Sequence, residues 1–153
     1  MQKTTLLCVM AVLCLQFESS AQSFSYSLDK VQNNLHIGDY LKRTSPLGKF
    51  INYRSPTATL NDFKDKLVLF SFWSTHCGSC IALFPLEDSL QQVFDNDIQI
   101  ILVTYEAEDI VNNFFKKRQQ QNKPQADLPI IVEDTALSKA MNILYTPQYT
   151  WVM

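Results

Sequence analysis

Two short, almost unbroken apolar runs dominate the hydropathy pattern: residues 67–73, Leu-Val-Leu-Phe-Ser-Phe-Trp, and residues 98–105, Ile-Gln-Ile-Ile-Leu-Val-Thr-Tyr. Runs this dense in β-formers predict strands buried on both faces. Between them Leu83, Leu86, Leu90, Val93 and Phe94 recur at helical spacing, opposite Glu87, Asp88, Gln91 and Gln92, which predicts an amphipathic helix. A second helix is expected over 107–121, with Ile110, Val111, Phe114 and Phe115 on one face. Weaker signals predict an edge strand at 50–53, a polar approach at 60–66, a strand at 128–132, a short helix at 135–142 and a last strand at 148–152. Residues 23–45 read as polar and irregular around one turn, Ile37-Gly38-Asp39-Tyr40. Strands alternating with helices argue for an α/β domain with a central, mostly parallel sheet flanked by helices.

The first residues follow a different pattern. Lys3, an apolar stretch at 6–15 and Ser19-Ser20-Ala21 predict a signal peptide over 1–21, cleaved after Ala21. A lipoprotein acylated at Cys14 is the competing reading, against which stands the bulky Leu13. Cleavage leaves roughly 130 residues, the size of one domain. It also removes Cys8 and Cys14, so Cys77 and Cys80 are the cysteines that remain in an exported protein of the periplasm or cell envelope. The net charge of −2 gives no electrostatic argument for nucleic acid. Lys116-Lys117-Arg118 is read as a solvated helix face.

Cys77-Gly78-Ser79-Cys80 lies where the first strand hands over to the first helix. There, unpaired backbone N–H groups and the helix dipole favour a thiolate, the reactive form of cysteine. Three-residue spacing brings the two sulfurs within disulfide reach. The motif therefore predicts a dithiol that opens and closes, with Cys77 as nucleophile. Two other readings stay open at this point. Half of a zinc site would need two more ligands, and the mature chain offers His36 and His76. A static disulfide closing so short a loop would stabilise weakly.

Phe72-Trp73-Ser74-Thr75-His76-Cys77-Gly78-Ser79-Cys80, Pro85, and Tyr145-Thr146-Pro147 together resemble the thioredoxin fold, and within it the exported TlpA/ResA-type thiol–disulfide oxidoreductases. The resemblance covers about residue 37 to the C-terminus, so the expected organisation is a signal peptide at 1–21, an irregular segment at 22–36 and a thioredoxin-like domain at 37–153. It implies a catalytic pair, Cys77 as nucleophile and Cys80 as resolving thiol, and no cofactor. It also implies a cis Thr146–Pro147 bond facing the cysteines, where the backbone of Thr146 pairs with an incoming peptide. Trp73 either lines that substrate site or fills the core. Pro85 either bends the helix to aim its first turn or eases packing. Disulfide-bearing envelope proteins, apocytochrome c among them, and a membrane thiol-electron donor are the implied partners.

The chain departs from that family in three places. Ser71 stands where thioredoxin has a buried acid, and Leu83 where many TlpA/ResA relatives have a glutamate. Glu106 is the substitute for tuning the thiolate or taking a proton, against a plain reading as a solvent-exposed loop acid. His76, beside the nucleophile, is a second candidate for tuning. Finally, the family continues past the last strand into another strand and a helix, whereas this chain stops at Trp151-Val152-Met153, so the domain is expected to lack them. The favoured function is an exported thiol–disulfide oxidoreductase acting as a reductant. The alternatives are a non-catalytic peptide-binding module of the same fold and a copper(I) chaperone using Cys77, Cys80 and His76.

Overall fold

The computed structural model describes residues 35–153. The expected signal peptide, Cys8, Cys14 and nearly all of the segment 22–36 lie outside the described residues. The elements are β1 (Pro46–Ile51), β2 (Thr57–Thr59), a 3-10 turn (Leu60–Phe63), β3 (Leu67–Phe72), α1 (Gly78–Val93), β4 (Ile98–Val103), α2 (Glu108–Gln120), β5 (Ile130–Val132), α3 (Ala136–Ala140) and β6 (Gln148–Val152).

The six strands form one sheet in the order β2-β1-β5-β4-β3-β6. Its centre is parallel: β3 and β4 pair from Leu67↔Ile98 to Phe72↔Val103, and β4 pairs with β5. α1 and α2 supply the crossovers that parallel neighbours require. The remaining pairings, β1 with β2 and β5, and β3 with β6, are antiparallel. The sheet is thus mixed, and the parallel character expected of it belongs to its middle strands.

The strand expected at 50–53 is β1, displaced toward the N-terminus, and it is not an edge. β2 lies outside it, a three-residue strand too short to leave a period in the sequence. The stretch 60–66 is less polar in effect than it reads, because the 3-10 turn buries Leu60 and Phe63. Its start is held by Asp62, whose Oδ2 accepts from the Thr59 N–H at 2.8 Å and the Thr59 hydroxyl at 2.9 Å. Those bonds keep the Asp62 carboxyl below its usual pKa.

Alternation along β3 feeds two cores. Phe70 and Phe72 join Phe50, Phe63, Ile131 and Leu137 on the α3 side, while Leu69, and Trp73 just past the strand, join Cys80, Phe84, Val111 and Leu128 on the α1/α2 side. The faces of α1 differ from expectation. Its buried positions are Cys80, Phe84 and Glu87, whereas Leu86, Leu90, Val93 and Phe94 are exposed. Tertiary contact with β3 selected the stripe running i, i+4, i+7 from Cys80, about 95° around the helix from the leucine stripe. On α2, Val111 is buried and Ile110 is exposed.

Gly48 marks a close approach between β1 and β5. A Cβ built there would lie 2.5 Å from Ile131 Cγ2, on a backbone with φ of +157°. Gly48→Ala should therefore cost about 1–3 kcal/mol, read as a lower denaturation midpoint, since Ile131 sits in a filled core. An unchanged midpoint would show that β1 can slide to make room.

Candidate active site

The carboxyl ends of β3 and β4, the amino end of α1 and the start of β6 converge on the cysteines. Cys77 is the N-cap of α1, and the Cys80 N–H donates to its Sγ at 3.2 Å. The Cys77 N–H donates to the Ser74 carbonyl at 3.0 Å and its carbonyl accepts from Ile81 at 3.1 Å, so the turn is closed from both sides. Cys77 and Cys80 are joined by a disulfide with their Cα atoms 5.3 Å apart. Cys77 is half-buried, whereas Cys80, 3% exposed, belongs to the core with Trp73 and Phe84. The pair is therefore asymmetric: one sulfur reaches the surface at a helix N-terminus, and the other sits behind it.

The Thr146–Pro147 bond is cis, as the resemblance to the thioredoxin fold implied. β6 pairs with β3 in the register Phe72↔Gln148, so one further step sets Pro147 opposite Trp73, at the same end of the sheet as Cys77. Trp73 itself is corrected as a substrate contact. It is 1% exposed and packed edge-on against Phe84 (centroids 5.2 Å), with Phe114 and Phe115 each at 5.7 Å. Its position just past a central strand, under both helices, makes it a core residue.

Glu106 is not an exposed loop acid. It is 6% exposed and faces the segment leading into Cys77. The Thr75 N–H donates to Oε2 at 2.7 Å, the Thr75 hydroxyl to Oε1 at 2.6 Å and the Thr104 hydroxyl to Oε2 at 3.3 Å. His76 places Nδ1 3.4 Å from Oε1 while its ring stands largely in solvent. A buried carboxylate needs this many donors to offset lost hydration. The structure therefore brings the His76 ring and Glu106 together, and the carboxylate holds the Thr75 backbone N–H and hydroxyl.

The pattern missed Glu87. Assigned to the polar side of its helix, it is 4% exposed, and its Oε1 accepts from the Ser71 hydroxyl at 2.7 Å and the Tyr149 hydroxyl at 3.0 Å. So the position of Ser71, read as lacking an acid, has one supplied from α1. Counting helical spacing from Cys80 rather than from the leucines would have found it.

The profile of the Redoxin family matches residues 46–152. The chain belongs to the Redoxin family. The thioredoxin-like protein YneN of Bacillus subtilis is 24% identical over 95 residues, 59% of this chain; the chain spans about half (52%) of that relative's length. Among solved structures, the thioredoxin-like superfamily protein SPOA0173 superposes with a TM-score of 0.56 at 16% identity, covering 73% of this chain and 79% of that one. The thioredoxin domain of a thiol–disulfide oxidoreductase from Bacteroides vulgatus gives 0.51 at 20% identity, with 63% and 69% covered. The exposed lipoprotein thioredoxin Etrx1 of Streptococcus pneumoniae gives 0.51 at 22%, with 63% and 73% covered. These likenesses establish the α/β thioredoxin-like fold, and this Redoxin-family chain carries the CxxC pair within it.

Proposed function

We propose that the protein is an exported thiol–disulfide oxidoreductase of the TlpA/ResA type that reduces disulfides in envelope proteins. The observation that carries this reading is the asymmetry of the pair: Cys77 at the N-cap, half-exposed and accepting the Cys80 N–H at 3.2 Å, and Cys80 buried behind it. Reduced Cys77 attacks a substrate disulfide as the thiolate. A Cys77–substrate bond forms, the substrate S–S bond breaks, and the departing sulfur leaves as a thiolate. Cys80 then gives up its proton and attacks Cys77 Sγ, forming the internal disulfide and releasing a substrate with two thiols. Two electrons pass from the chain to the substrate. A membrane thiol-electron donor returns them. The backbone at Thr146-Pro147, at the same end of the sheet as Cys77, is suited to pair with an extended substrate strand. Export is supported by the character of residues 1–21 and by the description of Etrx1 as an exposed lipoprotein.

Iodoacetamide on the reduced protein at about pH 6 should label Cys77 first, because its sulfur is the more exposed of the two and lies at a helix N-terminus, which favours a thiolate. Preferential labelling of Cys80 would reverse the roles. The direction of transfer is read from the reduction potential of the pair. A value near about −270 mV marks a reductant, and one near about −120 mV an oxidant.

A further inference from the structure

Thiol exchange at Cys77 and Cys80 does not use the buried acid Glu87. Glu87 extends from α1, on the same face as Cys80 and Phe84, toward the seam between β3 and β6. Both of its donors, the Ser71 and Tyr149 hydroxyls, go to Oε1, while Oε2 is buried with no hydrogen-bond partner among the described residues. Ser71 and Tyr149 are themselves register partners across β3 and β6. One carboxyl thus joins three elements: the redox helix, the central strand and the strand that follows Pro147.

The groups facing Glu87 are Ser71 from β3, Tyr149 from β6 and its own neighbour Asp88, none of them positive. Burial pushes the Glu87 pKa up, and the Asp88 charge adds to this, against the two hydrogen bonds that favour the carboxylate. Burial and the nearby Glu87 push the Tyr149 phenol up to about 12, so Tyr149 remains a donor throughout the range in which Glu87 titrates.

We propose that Glu87 is a positioning residue of the exchange site, which ties β6, and with it Thr146-Pro147, to the helix that carries Cys77 and Cys80. The inference rests on the reading of Thr146-Pro147 as the substrate platform. Cys77 opens α1 and Pro147 leads into β6, so their relative placement depends on what joins those two elements. Because the Glu87 pKa is raised on folding, its contribution to stability is complete below the ordinary carboxyl value and is lost as pH rises through the raised one. Asp62 and Glu133, whose values are lowered, act in the opposite sense, and Asp88 is raised like Glu87. All three are common to wild type and Glu87→Gln, so the difference between those two proteins reads Glu87 together with its coupling to Asp88.

Amide hydrogen exchange on the oxidised wild type, Glu87→Gln and Glu87→Leu, corrected for intrinsic rates from about pH 5 to about pH 9, tests the tie. Glu87→Leu should lower protection in β6 about tenfold while leaving β4 unchanged. Wild-type protection of β6 should fall with rising pH more than that of Glu87→Gln, which cannot ionise at this position. Should Glu87→Leu not fold, Tyr149→Phe, which removes one of the two bonds, should lower β6 protection about threefold. In turnover, Glu87→Leu or Tyr149→Phe should raise KM for a protein disulfide several-fold with the iodoacetamide rate of Cys77 unchanged. Equal β6 protection in all variants, or superimposable pH profiles for wild type and Glu87→Gln, overturns the tie. Lost protection with KM unmoved overturns the positioning role. A wild type that reduces no protein disulfide would instead sink the functional reading, and the exchange data would still decide the tie.

Discussion

Cys80→Ser should hold client proteins in mixed disulfides that survive denaturing, non-reducing electrophoresis, and Cys77→Ser should hold none. The first variant keeps the surface sulfur at the N-cap and loses the one that releases the product; the second loses the nucleophile itself. Both should lower steady-state reduction of a protein disulfide by more than about a thousandfold, as expected when members of a single covalent cycle are removed. The variants are expected to fold: Cys77 lies at a half-exposed turn, and serine at 80 replaces one small side chain by another in the core. The deciding comparison is the trapped fraction. Equal trapping by both variants would mean that either sulfur can attack, and the assignment drawn from burial would fail.

The largest effect on stability should come from Glu106. Glu106→Ala leaves the buried Thr104 hydroxyl and the Thr75 N–H and hydroxyl without their acceptor. Hydrogen bonds to charged groups contribute about 1.5–3 kcal/mol each, and an orphaned buried donor costs about 1–3 kcal/mol. With partial relaxation at the half-buried Thr75, a loss of about 3–5 kcal/mol follows, and a fall in melting temperature of roughly 10 °C or more. Glu106→Gln keeps an acceptor for the Thr75 backbone and should lose about half as much. Because Thr75 and His76 lead directly into Cys77, Glu106→Ala should also slow exchange more than its folded fraction explains. A melting temperature within a few degrees of wild type would show that the loop is held by other contacts.

Glu106 and Glu87 illustrate the limits of reading side chains from one dimension. Glu106 follows a strong strand and looks like the start of a loop, where acids usually meet water. Its burial depends on Thr75, which comes from the neighbouring strand end some thirty residues earlier. Glu87 sits in a helix whose leucines suggested the inward face. Burial was decided instead by which stripe lay over β3, and that is a property of the packed pair of elements. Trp73 fell into the core for a similar reason: Phe114 and Phe115 of α2 close over it, and no local pattern couples residue 73 to those positions.

What the chain determined locally is the set of features whose cause is local. Dense apolar runs became β3 and β4, period-3.6 stretches became α1 and α2, and β6 has the bounds that its pattern indicated. Cys77 at the N-cap and Cys80 in the first turn followed from a strand running into a helix. Tertiary structure alone decided the mixed sheet order, the short β2, the inward face of α1 and the partners of Glu87 and Glu106. Each of those depends on a free-energy difference between ways of packing whole elements. Local periodicity narrows that choice without making it, because a helix with two apolar stripes can bury either one, and a carboxyl is buried only where donors from other elements meet it.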